Sequence, residues 1–185
     1  FTTAYSEYGL EAMKLHASGY LMKPVTLDDI SLEMEGLRYP IEGYMVGISA
    51  ITFGNFDVMV NGEPLIFKRA KSKELLAYLI QCHGQGVTKK ELCGVLFEDR
   101  PYDRAMQDYF NKILYDLENT LRDAGAEKIF VKRRNYYAVK RDEFKCDLYD
   151  YEDGKPRAIS SFHGEYMNQY SWGEEQLGEL TNNNL

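Results

Sequence analysis

Cysteine is scarce in this chain of 185 residues: there are three, Cys82, Cys93 and Cys146. The number is odd, and none sits at a CxxC or His-Cys ligand spacing, which argues against both a disulfide framework and a zinc site. Long apolar runs are missing as well. None approaches the ~20 residues of a membrane-crossing helix, and no basic segment leads into an apolar one at the start, so nothing reads as a signal peptide. Histidine is equally sparse. His16, His83 and His163 are scattered, with no Ser or Cys nucleophile placed beside them by any motif. The acidic pairs Asp28-Asp29 and Glu174-Glu175 are adjacent in sequence, so on a helix they diverge instead of forming a dyad. Gly43, Gly47, Gly84, Gly86 and Gly164 make no phosphate loop. The expectation is a reduced, cytoplasmic protein that is not an enzyme, holds no metal or cofactor and does not enter a membrane.

What is present is ample material for packed cores, with 44% hydrophobic and 14% aromatic residues, mostly Tyr. The length allows one to two small domains. The net charge of −7 would discourage nucleic-acid binding, but it is unevenly placed. Residues 1–47 are net −4, residues 48–145 net +3, and residues 146–185 net −6. The middle is mildly basic between acidic flanks, so the global charge misleads about local potential.

Residues 6–17 place Leu10, Met13 and Ala17 at helical spacing behind a Ser6 cap, and Gly19 ends that helix. Tyr20-Leu21-Met22 is strand-like. Thr26 can cap a second helix, with Asp28 and Asp29 in its first turn and Ile30, Met34 and Leu37 as a buried stripe. Pro40 stops it, and residues 39–47 read as a linker. Short apolar runs follow at 48–53, 56–60 and 65–67, separated by Gly54-Asn55 and by Asn61-Gly62, a hairpin signal. Residues 71–82 form an amphipathic helix with Leu75, Leu76, Leu79 and Ile80 inward, ended at Gly84. In Thr88-Lys89-Lys90-Glu91 the Thr and Glu stand three apart, a capping box. It opens a short helix with Leu92, Val95 and Leu96 inward. A long helix over 103–124 carries Met106, Phe110, Ile113, Leu114, Leu117 and Leu121 on one stripe, with Gly125 as its stop. Residues 129–132 and 136–139 read as two strands around the basic turn Arg133-Arg134-Asn135. Residues 146–185 carry helical but less regular patterns.

Two resemblances organise these segments. The stretch from Phe1-Thr2-Thr3-Ala4-Tyr5 through Gly19-Tyr20-Leu21-Met22-Lys23-Pro24 to Leu37-Arg38 resembles the last two strand–helix units of a response-regulator receiver domain, the phosphorylatable module of two-component signalling. That likeness implies an α/β, flavodoxin-like half-domain at residues 1–38. It also implies that Thr3 hydrogen-bonds a phosphoryl group, Tyr20 repacks, and Lys23 before a cis Pro24 pairs with the phosphate. The phosphoacceptor Asp, the acidic Mg²⁺-binding pair and the first three strands of such a domain are not in this sequence. Any Mg²⁺ would belong to that other half of a longer regulator, served by a sensor histidine kinase.

The second resemblance lies in FGNFDVMVNGEPLIFKRAKSKELLAYLIQCHGQGVTKKELCGVLFED, residues 53–99. This is similar to the opening of SARP-type transcriptional activators, whose winged helix is of the OmpR type. Cys146-Asp147-Leu148-Tyr149, Gly164-Glu165-Tyr166 and Tyr170-Ser171-Trp172 resemble the start of a bacterial transcriptional activator domain. The resemblance implies an α+β winged helix-turn-helix DNA-binding domain at 48–145 and a short helical tail at 146–185. It implies promoter DNA as partner and a homodimer on repeated half-sites.

In such a fold the long helix enters the major groove and the hairpin wing reaches an adjacent groove. Lys89 and Lys90 lie at a helix N-terminus, where amide groups and positive charge favour phosphate; solvated surface lysines are the plain alternative. Lys132-Arg133-Arg134, followed by Asn135, stands where the wing tip belongs, although a turn favours polar residues for local reasons too. Opposite Leu117 the long helix presents Arg104, Asp108, Asn111, Lys112, Tyr115, Glu118, Asn119 and Arg122. Asn111 and Asn119 suit adenine edges, and Lys112 and Arg122 suit guanine or phosphate. The family's Arg-rich stretch is replaced here by Tyr115, Asp116 and Glu118. Carboxylates on that face would repel the backbone, which leaves a second expectation open: a winged helix that signals through protein contacts.

Overall fold

A computed structural model describes residues 2–3, 21–26, 29–30, 47–98 and 100–182, with backbone alone for Glu175, Glu179 and Asn182. The chain divides into two compact units, Phe1–Glu42 and Gly43–Leu185.

In the first unit β1 (Thr2–Thr3) pairs in parallel with β2 (Leu21–Met22), Thr3 opposite Met22. The Lys23 N–H continues the ladder onto the Thr3 carbonyl at 2.8 Å, and the Lys23–Pro24 peptide is cis. Thr26 caps the next turn as its position suggests: its hydroxyl accepts from the Asp29 N–H, and the Asp29 carboxylate accepts from the Thr26 hydroxyl and N–H. Ile30, expected to begin a buried stripe, is instead 40% exposed. Tyr20, the helix at 6–17, Asp28, Met34, Leu37 and linker residues 39–46 lie outside the described residues.

The second unit begins with β3 (Ile48–Ile51) and β4 (Asp57–Val60), antiparallel with Ile48 opposite Val60. Asn61 and Gly62 take φ of 51° and 85°, the left-handed pair that a two-residue hairpin turn requires. That turn pins the register, so the third strand is β5 (Glu63–Pro64) and not 65–67. Leu65 makes one more bond to Val58, and the chain then leaves the sheet, with Ile66 76% exposed. Gly47, expected in the linker, is held to this turn: its N–H donates to Asn61 Oδ1 at 2.9 Å.

Three helices follow: α1 (Ala70–Gln81), α2 (Lys89–Leu96) and α3 (Arg104–Asp123). Leu75, Leu76, Leu79 and Ile80 of α1 are fully buried. The capping box at Thr88 and Glu91 is formed in both directions. On α2, Leu92 and Leu96 point inward, but Cys93 is more buried than Val95. Asp103 accepts from the Met106 N–H to start α3, and its whole expected apolar stripe is buried. Gly125, with φ 68°, ends it: the Gly125 N–H returns to the Arg122 carbonyl and the Ala126 N–H to Leu121, a Schellman closure. The hairpin of β6 (Phe130–Arg133) and β7 (Tyr136–Val139) comes next, and Tyr137 exchanges two hydrogen bonds with Val87 just before α2.

The tail does not stand apart. The boundary expected at 145/146 falls inside β8 (Lys145–Cys146), which joins the first sheet in parallel beside β3, giving the order β5-β4-β3-β8. Helices α4 (Asp147–Glu152), α5 (Pro156–Ser161) and α6 (Gly173–Asn182) add Leu148, Tyr149, Ala158 and Leu180 to the same core, and the connection between α5 and α6 adds Tyr166 and Met167. The runs expected as strands at 48–53 and 56–60 are cut short for this reason. Residues 52–56 turn away from the sheet and bond to residues 165–169, and Gln169 pairs with both the N–H and the carbonyl of Phe56. An amide side chain thereby does the work of a strand partner.

Candidate nucleic-acid interface

Helix α3 buries one stripe and leaves the opposite face outward. Arg104, Asp108, Asn111, Lys112, Tyr115 and Arg122 are exposed on it, and Asn119 is half-buried. Tyr115 stands 67% exposed.

The two carboxylates expected to repel DNA are both engaged elsewhere. Asp116 is turned inward, only 7% exposed, and accepts the Arg69 N–H at 3.1 Å. Its position three residues after Ile113 and one before Leu117 sets it at the edge of the apolar stripe, over the start of α1. There it satisfies an orphan donor and complements the positive end of that helix. Glu118 is paired with Lys132 Nζ through both oxygens, at 2.9 and 3.0 Å. The same pairing occupies Lys132, which the sequence places among the wing-tip phosphate contacts.

Lys89 joins three elements. Its Nζ donates to Asn111 Oδ1 on α3 at 2.8 Å, and its backbone N–H donates to Asn135 Oδ1 at the hairpin tip at 3.3 Å. The ammonium also lies 5.6 Å from the Phe110 ring centroid. Asn135 takes φ 51°, which an asparagine in a tight turn tolerates. Gly86 matters for the same junction, because a Cβ there would fall 1.7 Å from the Tyr136 ring. Arg122 donates to Asn119 Oδ1 at 3.0 Å. Lys90, Lys112, Arg133 and Arg134 are exposed and form no ion pair among the described residues.

Sequence reasoning missed two cations. Lys68 and Arg69 line an open groove of about 550 Å³ with Asn111, Lys112, Tyr115, Asp116 and Asn119. The signal was available in the run Lys68-Arg69-Ala70-Lys71-Ser72-Lys73. Lys71 and Lys73 are taken up by Glu74 and Asp57, and the first two residues of that run face the groove. Thr3 and Lys23 are neighbours on the β1–β2 pair of the other unit. Burial pushes the thiols of Cys82, Cys93 and Cys146 above their ordinary range, so they are protonated at neutral pH. Among the described residues no cluster of His, Cys, Asp and Glu could hold a metal ion, and no helix is long and apolar enough to cross a membrane.

No protein-family model matches the chain, and no curated protein matches it. Among solved structures it is similar to EmbR of Mycobacterium tuberculosis, determined in complex with a low-affinity phosphopeptide. The TM-score is 0.55 at 16% sequence identity, over 74% of this chain and 42% of EmbR. That share of this chain is larger than residues 1–42 can supply, so the likeness rests chiefly on the second unit. The chain is a mixed α/β protein of helices and small sheets with an EmbR-like fold, and it spans less than half of EmbR's length.

Proposed function

We propose that this chain is the output end of a two-component transcription regulator, whose SARP-like winged helix binds promoter DNA as a homodimer on repeated half-sites. In this reading β3–β5 are the N-terminal sheet, α1–α3 the three helices, α3 the groove-entering helix, and β6–β7 the wing. The observation that carries it is the junction at Lys89, which holds the start of α2, the outward face of α3 and the hairpin tip together. Around that junction, cations without an ion pair among the described residues face outward, while Asp116 accepts the Arg69 N–H and Glu118 is paired with Lys132. The fold likeness to EmbR supports the same reading. The parallel β1–β2 pair, with Thr3 beside Lys23, supports a receiver remnant that a sensor histidine kinase would address in the full-length protein. The protein would act in the cytoplasm, without catalysis or cofactor of its own in this segment.

Fluorescence anisotropy with labelled promoter duplexes across a salt titration tests this. Each phosphate contact adds close to one to the slope of log affinity against log salt. The expected result is binding at low salt that falls steeply as salt rises. An absence of binding at low salt, extending to the full-length phosphorylated protein, would overturn it in favour of a winged helix that works through protein contacts.

A further inference from the structure

We propose that basic neighbours lock the side-chain oxygens of Asn111 and Asn119 against a positive charge, so that α3 favours guanine edges over adenine ones; this rests on the DNA-binding reading above. The lock is a matter of chemistry. Lys89 Nζ lies 2.8 Å from the side-chain amide of Asn111, and Arg122 Nη1 lies 3.0 Å from that of Asn119. Lysine and arginine can only donate, so the amide atom that faces each of them is the oxygen. The usual ambiguity between the two amide atoms of an asparagine does not arise. Each Nδ2, with two N–H groups, has no partner among the described residues and is left for a ligand.

An asparagine reads adenine by accepting from N6 with its oxygen while donating to N7 with its amide. Here an approaching N6 amino group would have to share that oxygen with an ammonium or guanidinium, with the positive end of its N–H dipole turned toward that charge. Guanine presents N7 and O6, both acceptors, and meets no such conflict. Lys112, exposed beside Asn111, adds a further donor. Asp108 is an exposed carboxylate on this face, and a cytosine amino group is the base-edge donor that would complement it. Lys89 therefore acts as a positioning residue. Its backbone is held by Asn135 and its charge is spent on Asn111, not on phosphate.

Selection of bound sites from a random duplex pool tests this with the intact chain and three variants. The intact chain should enrich guanine at two or more positions of the half-site, and 7-deazaguanine in those positions should weaken binding by about tenfold. Lys89→Met should turn one of those positions toward adenine, Arg122→Ala the other, and Lys89→Arg should keep guanine. Loss of fold in one variant leaves the other as an independent reading, since the two locks share no residue. Adenine enrichment by the intact chain, or base preferences unchanged in both variants, overturns the proposal while DNA binding stands. Failure of the intact chain to retain any duplex at low salt overturns the DNA-binding reading and this proposal together.

Discussion

In the tail, residues 146–182, most inward polar groups are answered by the protein, with Tyr166 Oη and Trp172 Nε1 buried without a partner among the described residues; on the α3–hairpin face polar groups turn outward and are only partly answered. Asp147 shows the first behaviour. Its carboxylate accepts from the Thr52 N–H and hydroxyl, the Phe53 N–H and the Leu148 N–H, all between 2.7 and 3.0 Å. Tyr149 donates to the Ile80 carbonyl at 2.6 Å from a buried position. Arg133 and Arg134 show the second behaviour, standing exposed at the hairpin without an ion pair among the described residues. Groups satisfied within the chain stabilise it, and groups left open are available to a partner. The tail should therefore govern stability, and the basic face should govern binding.

Substitutions can break that contrast. Asp147→Ala leaves at least two part-buried backbone N–H groups without an acceptor and should cost about 3 kcal/mol in urea unfolding. An effect below about 1 kcal/mol would mean that water replaces the carboxylate and that the tail is held by apolar contact alone. Gln169→Ala removes both bonds to the Phe56 backbone and should cost about 1.5 kcal/mol by the same measurement. Thr88→Ala removes the cap of α2 and should cost about 1 kcal/mol. The same cap carries a pH signature. Hydrogen bonds from the Thr88 backbone and then its side chain hold the Glu91 carboxyl below its ordinary value. The stabilisation it confers is present above the unfolded value of about 4.3 and is lost as pH falls through the lowered folded value. Thr88→Ala removes the side-chain bond and keeps the backbone one, so it should flatten that part of the stability profile only in part. The double change Arg133→Ala with Arg134→Ala should alter stability by less than about 0.5 kcal/mol. It should also lower the salt slope of DNA binding by about 2. A large loss of stability from this pair would erase the division between the two regions.

The helices were readable from sequence because their information is local. The apolar stripe of α3, its Gly125 stop and the capping box of α2 each depend on residues within a few turns, and they stand where periodicity and capping chemistry place them. The strands were less readable. Thr52, Phe53 and Phe56 read as strand ends, but residues 52–56 bond to residues 165–169, more than a hundred positions away, and no local pattern announces such a partner. The tail was read as an appendage because its helices are short and irregular, yet Leu148, Tyr166 and Met167 complete the core. The candidate site divides in the same way. Its cations and asparagines could be named from the helical wheel, but the wheel could not show that Lys132 is spent on Glu118.

The sequence by itself determined the succession of α1, α2, α3 and the hairpin, the buried faces of α1 and α3 and the clustering of positive charge between two acidic flanks. Periodicity, capping and composition act at short range, and the chain carries them without reference to its fold. Only the tertiary structure decided which charges remain open to a ligand. The family resemblance counts Asp116 among the acids of the groove-facing side, and the start of α1 holds it inward. A basic residue at a helix start reads as a phosphate contact, and the neighbouring helix makes Lys89 a lock on Asn111. Hydrogen bonds reach about 3 Å, so their partners are chosen by which distant segments the core brings together.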